Sequence, residues 1–274
     1  MAIRSEDFGY IQELVRRRSA IVLESGKEYL VEARLGPLAR RTGFKSIEEL
    51  VAQLREQPYD GLHEKAIEAM TTNETSFFRD IHPFEGLRKM VIPEFLEKRS
   101  TERALNIWCA AASSGQEPYT ISMVLRQYFP VLMGWTVRIL ATDISNQMVE
   151  RAREGCFSQL EVNRGLPASL LVKYFQKRGM EWQLKDEIRR MVEFSQVNLA
   201  GPWPPLPRMD IIFMRNVLIY FDVETKKAIL NKVKKVMRAD GYLFLGGAET
   251  TFNLDDSFER VPMGTSYCYR LRSR

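Results

Sequence analysis

The stretch that decides the fold runs from Ile107 to Tyr119 and reads IWCAAASSGQEPY. Its apolar start is typical of a buried strand, and Gly115 marks a turn before a helix. Pro118 is expected at the first helical position, where no backbone N–H donor is required. A strand that ends in small residues lets a ligand approach the backbone and the N–H groups of the helix that follows. The alternative is an ordinary tight connection, because one glycine forms no G-x-G-x-x-G motif.

Composition narrows the protein class. The 274 residues are 45% hydrophobic and 27% charged, as in a soluble globular protein, and the net charge of +5 permits an acidic partner without indicating nucleic acid. The charged start predicts no signal peptide, and Arg215-Asn216 interrupts the longest apolar run, so no membrane insertion is expected. A reduced, cytoplasmic compartment and no metal site are expected from the spacing of the cysteines and histidines, which are Cys109, Cys156, Cys268, His63 and His82.

Residues 1–80 carry helical patterns only and predict a small all-helical N-terminal domain. Ser5, Ser46 and Asp60 are expected to cap three of its helices, and Gly36-Pro37 is expected to interrupt the second. Basic residues outnumber acidic ones in its first half. They either form a solvated helix face or dock an acidic helical partner, and the candidates are Arg16, Arg17, Arg18, Arg34, Arg40 and Arg41.

Residues 81–103 predict a linker helix that bends or ends near Pro93. From residue 104 to 274, strands and helices alternate, which predicts an α/β domain with a largely parallel sheet. The closing order of helix, strand and strand indicates an antiparallel edge. Residues 178–197 break the alternation and are expected to form a short antiparallel β-subdomain that leads into a core strand.

Four groups of polar residues follow the predicted strands, at the carboxyl ends where parallel sheets bind ligands. They are the turn with Glu117, then Asp143, then Asn198-Leu199, and lastly Arg215-Asn216 with Tyr220 a turn later. Asp143 suits the two hydroxyls of a ribose or, alternatively, caps a helix. Asn198-Leu199 suits an adenine edge or is a plain turn. This order favours a nucleoside cofactor without a pyrophosphate, and S-adenosyl-L-methionine on a class I, Rossmann-like methyltransferase fold is the natural candidate.

The sequence resembles the CheR family of chemotaxis receptor glutamate O-methyltransferases over essentially the whole chain. Four stretches carry the resemblance: TNETSFFR at 72–79, AAASSGQEPY at 110–119, ATDI at 141–144 and FMRNVLIYF at 213–221. The family implies a helical N-terminal domain, a linker, and an S-adenosylmethionine-binding α/β domain with a small β-subdomain. It also implies transfer of a methyl group to glutamate carboxylates of chemoreceptor cytoplasmic helices, with S-adenosyl-L-homocysteine as the product.

The resemblance assigns roles to individual residues. It implies cofactor contacts for Asn73, Thr75, Arg79, Glu117, Asp143, Asn198, Leu199, Arg215 and Asn216, and catalytic positions for Arg79 and Tyr220. Gln116 departs from the family's usual acid. The β-subdomain is short and has one glycine, Gly179, whereas members that dock on a receptor's C-terminal pentapeptide carry a glycine-rich loop there. We therefore expect that the protein needs no pentapeptide tether. We also expect a monomer.

Methyl transfer to a glutamate carboxylate requires no general base. A glutamate with a pKa of about 4.3 is already ionised near pH 7, so the enzyme has to position the carboxylate rather than deprotonate it. Two alternatives stay open. One is a class I methyltransferase acting on nucleic acid or a small molecule, and the other is a non-catalytic receptor-binding relative.

Overall fold

The computed structural model describes residues 3–272, which form two compact units. One unit ends at Thr72 and also includes Tyr220–Thr225; the other begins at Asn73. The boundary therefore precedes the predicted residue 80. The reason is Phe77, whose ring packs in the core of the second unit at 5.0 Å from Phe157. The predicted outer limits, residues 1 and 274, lie outside the described residues.

The first unit contains four helices: α1 (Ser5–Ser19), α2 (Glu28–Arg41), α3 (Ile47–Glu56) and α4 (Gly61–Met70). Ser46 and Asp60 cap α3 and α4 as predicted, since their side chains accept backbone N–H groups of the first turn. Ser5 does not cap α1, because it is already helical and Arg4 precedes it. Helix α2 continues through Pro37, whose ring is exposed, so the carbonyl that lacks its N–H partner can be solvated.

The second unit is built around a seven-stranded sheet in the order β6-β2-β1-β7-β8-β10-β9. Five of these strands are parallel, namely β1 (Ala104–Cys109), β2 (Thr136–Asp143), β6 (Val192–Gln196), β7 (Met209–Met214) and β8 (Met237–Leu245). The predicted antiparallel edge is present and consists of β9 (Phe258–Met263) and β10 (Ser266–Leu271). Strand β9 was not predicted, because its sequence FERVPM contains a proline and several exposed residues.

The strand order reverses between β1 and β7, because the chain moves outward from β1 through β2 to β6 and then returns to β7. Ligands of open α/β sheets bind outside the carboxyl ends of the strands at such a switch point. Buried aromatic rings pack on the sheet near this switch point. The rings of Phe213 and Phe244 stack at 4.4 Å, and Phe84 stacks on Phe213 at 6.0 Å.

Eight helices accompany this sheet in the described chain. They are α5 (His82–Gly86), α6 (Ile92–Lys98), α7 (Gln116–Tyr128), α8 (Asn146–Glu154), α9 (Gln159–Asn163), α10 (Ala168–Tyr174), α11 (Asp186–Arg189) and α12 (Val223–Val236). A π-helical turn, Leu87–Val91, joins α5 to α6, so residues 82–98 form the predicted single helix. Pro93 lies just after that turn, at the start of α6, and short 3₁₀ turns follow at Pro130–Gly134 and Leu218–Tyr220.

A separate three-stranded antiparallel sheet has the order β3-β5-β4, with β3 at Cys156–Ser158, β4 at Phe175–Arg178 and β5 at Glu181–Leu184. This corrects the predicted limits of 178–197 for the β-subdomain. Strand β6 belongs to the main sheet, because the side chains of Val192 and Phe194 are buried there beside β2. Strands β4 and β5 are joined by the two residues Gly179 and Met180. No helix among residues 3–272 is long and apolar enough to span a membrane.

Candidate functional site

The turn after β1 lies at the switch point of the sheet. The N–H of Ala112 donates to Thr142 O at 2.9 Å, which keeps the turn against the end of β2. Ser113 and Gly115 both have positive φ angles, of 48° and 95°. A Cβ on Gly115 would also lie 3.0 Å from the Tyr119 ring, so glycine is required here on two grounds. Helix α7 begins at Gln116, which makes Pro118 the third helical residue rather than the first.

Asp143 ends β2, and its carboxylate accepts two backbone N–H groups. Its Oδ2 accepts the N–H of Ser113 at 2.8 Å, and its Oδ1 accepts the N–H of Ser145 at 3.0 Å. The carboxylate is 7% exposed. Ser145, rather than Asp143, is the N-cap of α8, because its side chain accepts from Met148 N. The acid therefore fixes the turn after β1 instead of serving as the helix cap.

The segment that begins at Asn73 folds against the same turn. Ser113 Oγ donates to Asn73 O at 2.8 Å. The half-buried Arg79 donates from Nη1 to Glu74 O at 2.8 Å, and Glu74 forms an ion pair with Arg164. Thr75 is half-buried in the same segment. The predicted residues 73, 75 and 79 thus lie on one ordered loop, which Ser113 holds beside the turn.

Arg215 follows β7 directly and pairs with two acidic side chains. Its Nη1 donates to Glu117 Oε2 at 2.8 Å, and its Nη2 donates to Asp80 Oδ2 at 2.7 Å and to Arg79 O at 3.0 Å. Its side chain is only 2% exposed and lies over the Phe84 ring. Among residues 3–272 the buried Nε of Arg215 has no hydrogen-bond partner. A buried donor of this kind suits a bound acceptor group.

Burial raises the pKa of the Glu117 carboxyl, and the positive charges of Arg215 and Arg79 act against that rise. A buried carboxylate next to a buried guanidinium is stable only as a pair, because each charge would be costly alone. The pair therefore fixes the first turn of α7 against the end of β7, and Arg79 is close enough to act on the charge of Glu117.

Asn198 and Leu199 follow β6 and form a turn. Val197 N donates to Asp143 O at 2.9 Å, which places this turn next to the end of β2. Within the turn, Asn198 Oδ1 accepts from Ala200 N at 3.0 Å, and Leu199 is buried. The predicted turn at Asn198-Leu199 is therefore present. It also lies beside Asp143.

Asn216 has a φ of 57°, and a residue that the sequence analysis missed stabilises this strained position. Glu249 is 4% exposed, and its carboxylate accepts four backbone N–H groups, those of Gly246 (2.6 Å), Asn216 (2.7 Å), Val217 (2.8 Å) and Leu218 (2.7 Å). It joins the loops that follow β7 and β8. The signal that could have found it is an acid shortly after a buried strand, at the same edge as Asp143.

Tyr220 belongs to the first unit, where its carbonyl accepts the N–H of Val22 at 2.9 Å. Arg34, in the same unit, corrects a prediction. It is half-buried and donates to Met70 O, Thr71 O and Thr72 Oγ1, so it closes the C-terminus of α4 and is not a free docking residue. Arg16, Arg17, Arg18, Arg40 and Arg41 are exposed as predicted.

The donor set at the sheet edge fits S-adenosylmethionine. A carboxylate ends β2 beside the turn after β6, and it can accept hydrogen bonds from the ribose hydroxyls of a nucleoside. The buried Nε–H of Arg215 can donate to the carboxylate of the cofactor's amino-acid part. The turn after β1 is closed by Gly115 and the Tyr119 ring, without the further glycines that a pyrophosphate requires.

Comparisons with known proteins match both parts of the chain to one family. The model for the CheR methyltransferase all-alpha domain matches residues 6–71, and that for the CheR methyltransferase SAM binding domain matches residues 73–267. Chemotaxis protein methyltransferase 1 of Pseudomonas aeruginosa is 40% identical, covering 99% of this chain and 100% of that protein. Chemotaxis protein methyltransferase Cher2 of Pseudomonas putida is 39% identical with the same coverage.

Among solved structures, the DhpI–SAH complex is 16% identical over 71% of this chain and 74% of its own, with a TM-score of 0.33, a likeness too slight to carry an argument. The two family models and the full-length relatives are decisive. The chain belongs to the CheR methyltransferase family, and it is an S-adenosylmethionine-dependent methyltransferase of the kind found in chemotaxis.

Proposed function

We propose that this protein methylates glutamate side chains of chemoreceptor cytoplasmic helices and forms glutamate 5-O-methyl esters. The observation that carries the proposal is the buried Arg215, which holds Glu117 and the Asp80 loop together and so presents Arg79 at the carboxyl edge of the sheet. A guanidinium at this edge suits an acceptor that is itself a carboxylate.

When bound, S-adenosylmethionine supplies an electrophilic methyl group on its sulfonium. The acceptor carboxylate is ionised at pH 7, so the chain has to orient it and exclude water. We assign the steering of this carboxylate to Arg79, whose position is fixed by its bond to Glu74 O. Tyr220 is proposed to orient the acceptor. A guanidinium that also binds the ground state would raise substrate affinity without raising turnover equally, so loss of Arg79 is expected to change KM as well as kcat.

We assign the remaining residues to the cofactor. Asp143 would hold the ribose, Asn198 and Leu199 would flank the adenine, and Glu117 would lie near the methionine moiety. The other proposed contacts are Asn73, Thr75, Arg215 and Asn216. The support is geometric, since Asp143 contacts the turn after β1 and adjoins the turn after β6.

The receptor is proposed to dock on the helical unit through Arg16, Arg17, Arg18, Arg40 and Arg41, which are exposed. Receptor methylation helices are acidic in the family that the sequence resembles, so the attraction would be screened by salt. We therefore expect receptor methylation to slow between low and high salt far more than cofactor binding weakens. We also propose a cytoplasmic location and a monomeric enzyme.

A pentapeptide tether is not part of the proposal. The hairpin of β4 and β5 has the shortest common loop, with Gly179 at a φ of 63°. Calorimetry with the isolated receptor pentapeptide is expected to show no binding in the low micromolar range. Binding at that affinity would reverse this part of the proposal.

The test of the function is transfer of a radiolabelled methyl group to receptor-rich membranes. The label is expected on the receptor band and is expected to leave as volatile methanol in mild alkali, as a carboxyl ester does. Alkali-stable label, or label on nucleic acid or a small molecule, would indicate a different methyltransferase. Receptor binding without any label would indicate a non-catalytic relative.

A further inference from the structure

Lys232, on α12, contacts the backbone of the turn that follows β6. Its Nζ donates to Leu199 O and, at 2.7 Å, to Gly201 O. Lys232 is half-buried, and burial lowers the pKa of its ammonium. The neighbouring lysine Lys235 is exposed on the same helix. Lys232 is therefore bonded inside the second unit, as is Lys234 of the same helix, which pairs with Asp255 at 2.8 Å. Lys232 is the lysine that contacts the turn after β6.

Trp203 completes the same contact from the other side of the turn. Its Nε1 donates to Leu199 O at 3.1 Å, and the Lys232 ammonium lies 4.7 Å from its ring centroid. The ring packs edge-to-face on Trp108 at 4.8 Å. Trp108 is fully buried in β1 and donates from Nε1 to Thr142 Oγ1 at 3.0 Å, next to Asp143.

These contacts form a continuous link from the sheet core to the turn. Both carbonyls that Lys232 binds belong to this turn, which also contains bonds from Ala200 N to Asn198 Oδ1 and from Gly201 N to Asn198 O. An ammonium has three donors, and a cation over an indole ring is further stabilised. The Lys232 ammonium thus fixes the turn against α12, and the Trp203 indole binds it from the other side.

We propose that Lys232, together with Trp203, is a positioning residue that sets the shape of the Asn198–Gly201 turn for adenine recognition. This proposal rests on the assignment of Asn198 and Leu199 to the adenine under the proposed function. Lys232 does not touch the cofactor in this scheme. It acts on the nucleoside half only and has no part in the methyl-transfer step.

The test compares Lys232→Met, which keeps the alkyl chain, with Lys232→Arg, which keeps the charge and offers several donors. Lys235→Met is the matched control on the same helix. Calorimetry is carried out with S-adenosylhomocysteine and with 5′-methylthioadenosine, which retains the nucleoside but lacks the amino acid. Lys232→Met is expected to weaken both ligands by the same factor, about tenfold, because charged hydrogen bonds to two carbonyls are lost. Lys232→Arg is expected to restore most of the affinity.

Turnover at saturating S-adenosylmethionine is expected to stay within about twofold of the wild type, because only nucleoside binding is affected. Trp203→Phe, which retains an aromatic ring but loses the donor, is expected to give a smaller loss and serves if Lys232→Met does not fold. Unchanged affinity in Lys232→Met, or a loss seen only with S-adenosylhomocysteine, would overturn the proposal. Asn198→Ala measured in parallel separates the two hypotheses, since full affinity in that variant would also remove the adenine assignment.

Discussion

Strand β7 carries a buried charge near each end, and the two charges have different partners. Near its amino end, Asp210 is fully buried and accepts the N–H of Asn106 at 2.8 Å. Arg99 and Arg238 form ion pairs with it at 3.4 and 3.3 Å. These partners are Asn106 near the start of β1, Arg238 near the start of β8 and Arg99 directly after α6. The cluster joins one helix to three strands of the fold, and none of its members has a proposed function.

Directly after the carboxyl end of β7, Arg215 pairs with Glu117 of α7 and with Asp80 of the loop that carries Arg79. The two ends thus use the same chemistry, a buried carboxylate with a guanidinium. The difference lies in what each cluster holds. We infer that removal of the Asp210 side chain at the amino end lowers stability, whereas removal of Arg79 or Asp143 at the carboxyl edge mainly lowers turnover or binding.

The largest effect is expected for Arg79→Ala. Removing one group that stabilises developing or positioned charge in an active site typically costs about 100- to 1,000-fold in rate. We expect a loss in kcat/KM of that order in a methyl-transfer assay, with a thermal midpoint close to that of the wild type, since Arg79 is only half-buried. Arg138→Ala, an exposed arginine paired with Glu193 on the main sheet, is the control and should retain activity. Near-normal turnover of Arg79→Ala would contradict the assignment.

Asp143→Ala comes next and should act on cofactor affinity. It removes the carboxylate that we assign to the ribose, so affinity should fall. It also leaves the N–H groups of Ser113 and Ser145 without their acceptor at a buried position, which lowers stability by about 1–3 kcal/mol for each group. We expect S-adenosylhomocysteine to bind at least about 30-fold more weakly by calorimetry, and kcat at saturation to fall much less. Unchanged affinity would remove Asp143 from the ribose site.

Asp210→Ala is the counterpart at the amino end. Breaking a buried charge cluster costs about 3–5 kcal/mol when both partners are buried, and we expect about 2 kcal/mol here because the Arg238 side chain is partly exposed. Urea unfolding should show this lower free energy of unfolding, while the affinity for S-adenosylhomocysteine stays within about twofold. A large loss of affinity at unchanged stability would contradict the division between the two ends.

The smallest effect is a pH dependence at Asp210. Burial raises the pKa of its carboxyl, although the N–H of Asn106 and the two arginines act against that rise. A carboxyl with a raised folded-state pKa stabilises the protein fully below its unfolded pKa of about 3.9, and this contribution is lost as pH rises through the folded pKa. The stability advantage of the wild type over Asp210→Asn should therefore shrink from about pH 4 upward in urea unfolding. An advantage that grows with pH would contradict the direction of the shift.

The sequence was most informative where function and local pattern coincide. Asp143 and Arg215 each follow or end a run of buried strand residues, so a polar side chain there stands out. The parallel sheet, its antiparallel edge and the small antiparallel sheet were predicted for the same reason, because hydrophobic periodicity is local. The limits of the elements were less accurate. Helix α2 continues through Pro37, and β9 was not predicted because Pro262 is unusual in a strand.

The partners of Glu249 and Lys232 could not be predicted in this way. An acid shortly after a buried strand marks Glu249 as a candidate, but three of its four N–H partners, like the carbonyls that Lys232 binds, lie more than 30 residues away in the chain. Nothing in a single sequence marks a backbone N–H or carbonyl as needing a side chain. Arg34 illustrates the converse. A basic residue in a basic stretch suggested a surface role, but its guanidinium is used by carbonyls at the end of α4. Tertiary hydrogen bonds decide such cases.

The central claim is transfer of a methyl group to a glutamate carboxylate, and the most direct measurement is mass spectrometry of a purified receptor cytoplasmic fragment after incubation with the enzyme and S-adenosylmethionine. We predict a mass increase of one methyl group in place of one hydrogen on peptides from the methylation helices, located on glutamate, reversed by mild alkali and absent with Arg79→Ala. A modification on another residue type, or one that survives alkali, would contradict the account.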